Sequence, residues 1–136
     1  MKLVLDTNVF ISGIFWTGSS NKILELWKEE KFTLITSMDI ISEIIGVLND
    51  FKIQLPPQMI TEWAELILKN STVVEPKEKI SAVSEDPSDN KFLETAVTGS
   101  ADFIISQDNH LLKLKEFNSI KLLTPDDFLK LPKSNL

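Results

Sequence analysis

Leu3-Val4-Leu5-Asp6-Thr7-Asn8 carries the fold of this 136-residue chain. Three consecutive apolar residues running straight into an acid match a strand buried on both faces, because a strand with one face in water alternates apolar and polar positions. Similar short runs follow at 32–35, 73–74, 103–105 and 120–123. Between them the apolar spacing changes to threes and fours, one face of a helix. Ile23, Leu24, Leu26 and Trp27 predict a helix over 21–30, Ile40, Ile41, Ile44, Ile45 and Leu48 one over 37–51, and Ile60, Trp63, Leu66, Ile67 and Leu68 one over 57–70. Further helices are predicted over 87–99, 109–117 and 125–131. Strands alternating with helices imply βαβ units with right-handed crossovers. The expected fold is α/β, a three-layer αβα sandwich around a central parallel sheet of about five strands.

The length suits one core, so residues 1–131 are expected to form a single domain and 132–136 a flexible tail, with a polar surface loop over 76–86. No apolar run reaches the ~18–20 residues that span a bilayer, and a charge follows too soon after Met1 for a signal-peptide core, so a cytoplasmic protein with no membrane partner is expected. There is no cysteine, which excludes disulfides and thiolate metal sites. A metal would be held by oxygen or by the lone His110, which favours hard ions such as Mg²⁺ or Mn²⁺. The net charge is −6, and all 14 basic residues are lysines. That argues against a simple basic nucleic-acid binder. Four carboxylates sharing two divalent ions would gain four positive charges and bring the same chain from −6 to −2.

In parallel sheets ligands bind beyond the carboxyl ends of the strands, so the residue after each strand matters. Asp6 follows the first and Asp108 the fourth; either could also cap the next helix. Glu43 lies inside a helix, where capping does not account for it, and sits about 40° outside the apolar arc, next to Val47 and Ile40. A solvated helix flank is its plain alternative. In Asp86-Pro87-Ser88-Asp89 the two acids differ. Asp86 before a proline reads as an N-cap. Asp89 stands three and four residues before Phe92 and Leu93, on the inward face, where an unpaired carboxylate is costly. Four clustered carboxylates repel unless a cation separates them. Such a cluster suits phosphodiester hydrolysis with one or two ions, two when substrate is bound, and needs no protein nucleophile.

These segments resemble the PIN-domain ribonucleases, particularly the branch related to VapC toxins. The resemblance rests on Leu5 to Gly13, Ser37 through Glu43 to Leu48, Asp86 to Glu94, Ala101 to Leu112 and the closing Leu123-Thr124-Pro125-Asp126-Asp127-Phe128-Leu129. Carried over position by position, it implies Asp6, Glu43, Asp89 and Asp108 as metal-binding and catalytic acids. It implies Asn8 and Ser106 as groups that hold water or orient ligands, and first and fourth strands lying side by side. One departure is visible: relatives often place Thr-Gly-Asp where this chain has Ser106-Gln107-Asp108, so glutamine replaces glycine beside the last acid. The implied activity is that of a Mg²⁺- or Mn²⁺-dependent endoribonuclease, expected to act on single-stranded RNA, with an antitoxin protein and a second copy of the chain as candidate partners.

Lys91 and Lys22 are candidate phosphate contacts, and Phe15, Trp16 and the loop over 17–20 candidate base-stacking elements. Solvated helix faces and core packing are their plainer alternatives, as exposure is for His110. Two rival functions remain. An aspartate-phosphorylating α/β domain would need paired aspartates at the first strand or an aspartate after the third, and neither is present. A non-catalytic binding module of the same fold would not require acids at all four positions.

Overall fold

The computed structural model describes residues 1–50 and 54–132. The predicted ends of the 37–51 helix and of the tail beyond residue 132 lie outside these residues. Six strands form one sheet: β1 (Lys2–Leu5), β2 (Thr33–Thr36), β3 (Ser71–Val73), β4 (Phe103–Ile105), β5 (Glu116–Phe117) and β6 (Ile120–Leu123). Their order is β3-β2-β1-β4-β6-β5. Neighbours are parallel except β5 and β6. The helices are α1 (Thr7–Phe15), α2 (Ser19–Lys28), α3 (Met38–Asp50), α4 (Pro57–Asn70), α5 (Asn90–Thr98), α6 (Asn109–Leu112) and α7 (Pro125–Leu129).

Leu3, Val4 and Leu5 are all buried, although successive side chains point to opposite sides of a strand. Both faces of β1 are therefore covered, as the uninterrupted apolar run requires. Ile104 and Ile105 do the same for β4, its direct neighbour. Phe10 joins the helical layer around α1: its ring meets Trp27 edge-on at 5.5 Å and Trp63 at 5.9 Å. Gly13 lets α1 and α2 approach closely, since a Cβ there would stand 2.6 Å from the Leu24 side chain and 2.9 Å from the Ser20 carbonyl oxygen.

The predicted helix over 109–117 is corrected. It stops at Leu112, Lys115 takes a positive φ of 60°, and the chain enters β5. Asn118 (φ 49°) and Ser119 (φ 68°) then form a two-residue hairpin turn, whose left-handed backbone matches the twist of paired strands. The sheet thus gains a sixth, antiparallel edge strand. Residues 87–99 also divide, into a 3-10 turn (Pro87–Asp89) and α5. Leu5 pairs with Ile105, so Asp6 and Ser106 emerge together at the carboxyl end of the sheet.

Candidate metal centre

Asp6 is 3% exposed and does two things. Its Oδ1 accepts the Val9 N–H at 2.8 Å, capping α1, while Oδ2 accepts from the Ser106 hydroxyl and from the Gln107 N–H at 3.3 Å. Capping α1 through one oxygen thus leaves the other turned to the Ser106 segment at the carboxyl end of the sheet. Burial pushes the Asp6 carboxyl above its ordinary range, the hydrogen bonds from Ser106, Val9 and Gln107 oppose that, and the Asp108 charge adds to it.

Ser106 is fully buried and joins two acids. Its hydroxyl donates to Asp6 and accepts the Asp108 N–H at 2.9 Å. Asp108 in turn caps α6, its Oδ1 accepting the His110 N–H at 2.8 Å.

Asp89 closes the 3-10 turn and is 8% exposed; its Oδ2 is buried with no hydrogen-bond partner. Burial pushes its carboxyl up to about 8, reinforced by a proton shared toward Asp108 and by the charges of Asp108, Asp86 and Asp6. The same shared proton holds Asp108 below its ordinary value, against the effect of its own burial. The two carboxyls are thus pushed in opposite directions, Asp89 up and Asp108 down.

Glu43 leans from α3 toward this group but is bound differently. Its Oε1 accepts the Thr7 hydroxyl, and its Oε2 forms an ion pair with Lys91. Lys91 also donates to the Ser88 carbonyl at 3.0 Å. Thr7 is buried beside Asp6, whereas Asn8 is exposed and its side chain makes no hydrogen bond to another described residue. Sequence reasoning missed Thr7; the signal was available, because a hydroxyl in the first turn after a buried strand must find a partner.

Asp86 requires a correction. It holds the N-cap position before Pro87, yet its side chain makes no capping bond to the backbone; it accepts the Ser88 hydroxyl at 2.6 Å. Asp86, Asp89, Asp108 and His110 each offer one ligand atom within 4.8 Å of the others. Asp6 and Glu43 are not in that group and connect to it through Ser106, Thr7 and the Lys91–Ser88 contact.

Among the proposed RNA contacts, Trp16 is 55% exposed and Lys22 is also on the surface. Trp16 lines a cavity of about 630 Å³ with Ser12, Asn21, Gln107, Asn109 and Thr124, immediately beside Asp108. Phe15 packs edge-on to Trp16 at 5.9 Å.

The donors suit a hard divalent cation. They are carboxylate oxygens with one imidazole, and the buried Asp89 Oδ2 lacks the partner that a polar atom in that setting normally has. A cation there would offset both the burial and the neighbouring charges that push the Asp89 carboxyl upward.

The sequence matches the PIN domain family over residues 2–110. An uncharacterized protein of Methanocaldococcus jannaschii is 31% identical, in an alignment covering 96% of this chain and 90% of that protein. VapBC-1 from nontypeable Haemophilus influenzae superposes with a TM-score of 0.63 at 15% identity, covering 93% of this chain and 99% of that one. VapBC2 from Rickettsia felis, solved bound to a DNA fragment from its promoter, gives 0.60 at 15% identity over 90% and 97%. These two share the fold. The chain belongs to the PIN domain family.

Proposed function

We propose that this chain is a Mg²⁺- or Mn²⁺-dependent endoribonuclease acting on single-stranded RNA, the toxin of a toxin–antitoxin pair. The observation that carries the reading is the buried, unpartnered Asp89 Oδ2 in a carboxyl cluster with Asp108 at the carboxyl end of a PIN sheet. The fold shared with VapBC complexes supports an antitoxin protein as partner.

Asp6, Glu43, Asp89 and Asp108 would hold the ions. A bound divalent ion supplies an activated water and neutralises charge on the phosphate. The chain's own groups make that arrangement precise. Ser106 fixes the Asp6 and Asp108 positions relative to each other, and Thr7 fixes Glu43. Asn8 stands where an aspartate-phosphorylating enzyme would pair a second aspartate with Asp6, which favours direct hydrolysis over a phosphorylated-aspartate mechanism. Lys91 lies beside Glu43, where its ammonium can meet a phosphate as a point charge. Trp16 and its cavity offer a stacking surface for an unpaired base.

Incubating purified protein with end-labelled single-stranded RNA tests this. Internal cleavage that stops with chelator and returns with Mn²⁺ or Mg²⁺ is the expected outcome. Cleavage indifferent to chelator would defeat the metal reading, and intact RNA under all conditions would defeat the nuclease.

A further inference from the structure

Two residues in the tightest ligand group, Asp86 and His110, lie outside the four acids assigned above. Their placement has local causes. Asp86 is set by Pro87, whose ring fixes the next φ, and its Oδ1 accepts the Ser88 hydroxyl rather than a helix N–H. His110 is set by Asp108, which caps the short helix α6 through the His110 N–H. Asp89 belongs to the same group, and its Oδ2 is buried with no hydrogen-bond partner.

The imidazole is oriented but not hydrogen-bonded. Nδ1 stands 3.8 Å from Asp108 Oδ1, and Nε2 stands 4.0 Å from Glu85 Oε2. Both exceed hydrogen-bonding distance. Glu85 is held in turn by Lys113, which contacts both of its carboxylate oxygens. One ring nitrogen thus faces the cluster while the other faces an anchored carboxylate. A metal-bound histidine almost always donates its outer N–H to an acceptor such as a carboxylate, and Glu85 stands on that side of the ring.

We propose that Asp86 and His110, with Asp89 and Asp108, complete a mixed oxygen and nitrogen site that takes a first-row transition ion, Mn²⁺ among them, in preference to Mg²⁺. The inference rests on the metal-dependent reading and specifies its ion. Mg²⁺ favours oxygen donors and sheds its waters reluctantly. Imidazole raises affinity for transition ions over it. Glu85 and Lys113 act as positioning residues for the ring.

The test is titration of the metal-free chain with Mn²⁺ and separately with Mg²⁺. It is read by thermal shift and by electron paramagnetic resonance of bound Mn²⁺, including coupling to nitrogen. The wild type is expected to bind Mn²⁺ about tenfold or more tighter than Mg²⁺ and to show imidazole nitrogen coupling. His110→Ala should abolish the coupling and lower Mn²⁺ affinity about tenfold while leaving Mg²⁺ affinity within about twofold. His110 is 46% exposed on its side chain, so this variant should fold normally. Mn²⁺ bound by the wild type without nitrogen coupling, or a Mn²⁺ to Mg²⁺ preference unchanged in His110→Ala, would overturn this inference and leave the four-acid reading standing. A wild type that binds neither ion would overturn both.

Discussion

Lys91 forms an ion pair with Glu43, tying the first turn of α5 to the middle of α3 at the edge of the acidic cluster. The chain has no arginine, so a lysine supplies the counter-charge. The pair is only partly screened from water, with side-chain exposures of 16% for Lys91 and 36% for Glu43. Its stabilising effect should be at most about 1 kcal/mol. Lys91→Met is therefore expected to lower the melting temperature of the metal-free protein by up to about 4 °C. RNA affinity should fall by a similar factor for every sequence, because a lysine on phosphate carries no base information. Calorimetry and binding to two unrelated RNAs check these outcomes.

Thr7 is buried, and its hydroxyl donates to Glu43. Thr7→Val keeps the shape and removes that donor. Glu43 would lose its orientation, with an expected drop of about tenfold in divalent-metal affinity and a stability change within about 1.5 kcal/mol. Unchanged metal binding would show that Thr7 serves packing alone.

The acid pair also sets a pH dependence. Asp89 has an ordinary value of 3.8 and is raised to about 8 in the fold. Its protonated form is favoured by folding, so the stability it contributes is present below about pH 4 and is lost progressively as the pH rises toward 8. The melting temperature of the metal-free protein should therefore fall between about pH 5 and pH 8, and Asp89→Asn should flatten that slope. Saturating divalent ion should raise stability most at the high end, where the carboxylates are free to bind it.

Asp6→Asn separates chemistry from architecture. It removes a charge from the cluster but places an amide where Oδ2 now accepts from Gln107 and Ser106. Relief of repulsion and loss of an acceptor oppose each other, so stability should change by less than about 1.5 kcal/mol. The Val9 cap can persist through the remaining oxygen. Cleavage should fall roughly a hundredfold or more, since an ion-binding charge is gone. Unfolding of the variant would mean that capping is the dominant role of Asp6.

Much of this arrangement is visible in the sequence because buried parallel strands announce themselves as unbroken apolar runs. Leu3 to Leu5 and Phe103 to Ile105 did so, and the side-by-side pairing implied by family resemblance is present. Asp89 could be separated from Asp86 by its spacing to Phe92 and Leu93, and it is the buried one. The hairpin at Asn118-Ser119 was hidden because its turn uses Asn-Ser rather than a glycine pair. Lys115, Glu116 and Phe117 therefore continued a helical pattern on paper. The Glu43 contacts with Thr7 and Lys91 bridge residues 36 and 48 positions apart in sequence, and periodicity carries no information at that range. The same holds for Asp86 and His110, whose meeting depends on how two loops fold over one sheet end.

The central claim is that these carboxylates together hold an ion that cuts RNA. Single-turnover cleavage of a labelled single-stranded RNA by wild type and Asp108→Asn, at saturating Mn²⁺ and with circular dichroism matched between them, tests it most directly. The account predicts internal cleavage by the wild type and loss of roughly a hundredfold or more in the variant, since Asp108 shares both the proton and the proposed ion with Asp89. Equal cleavage by both proteins would contradict it.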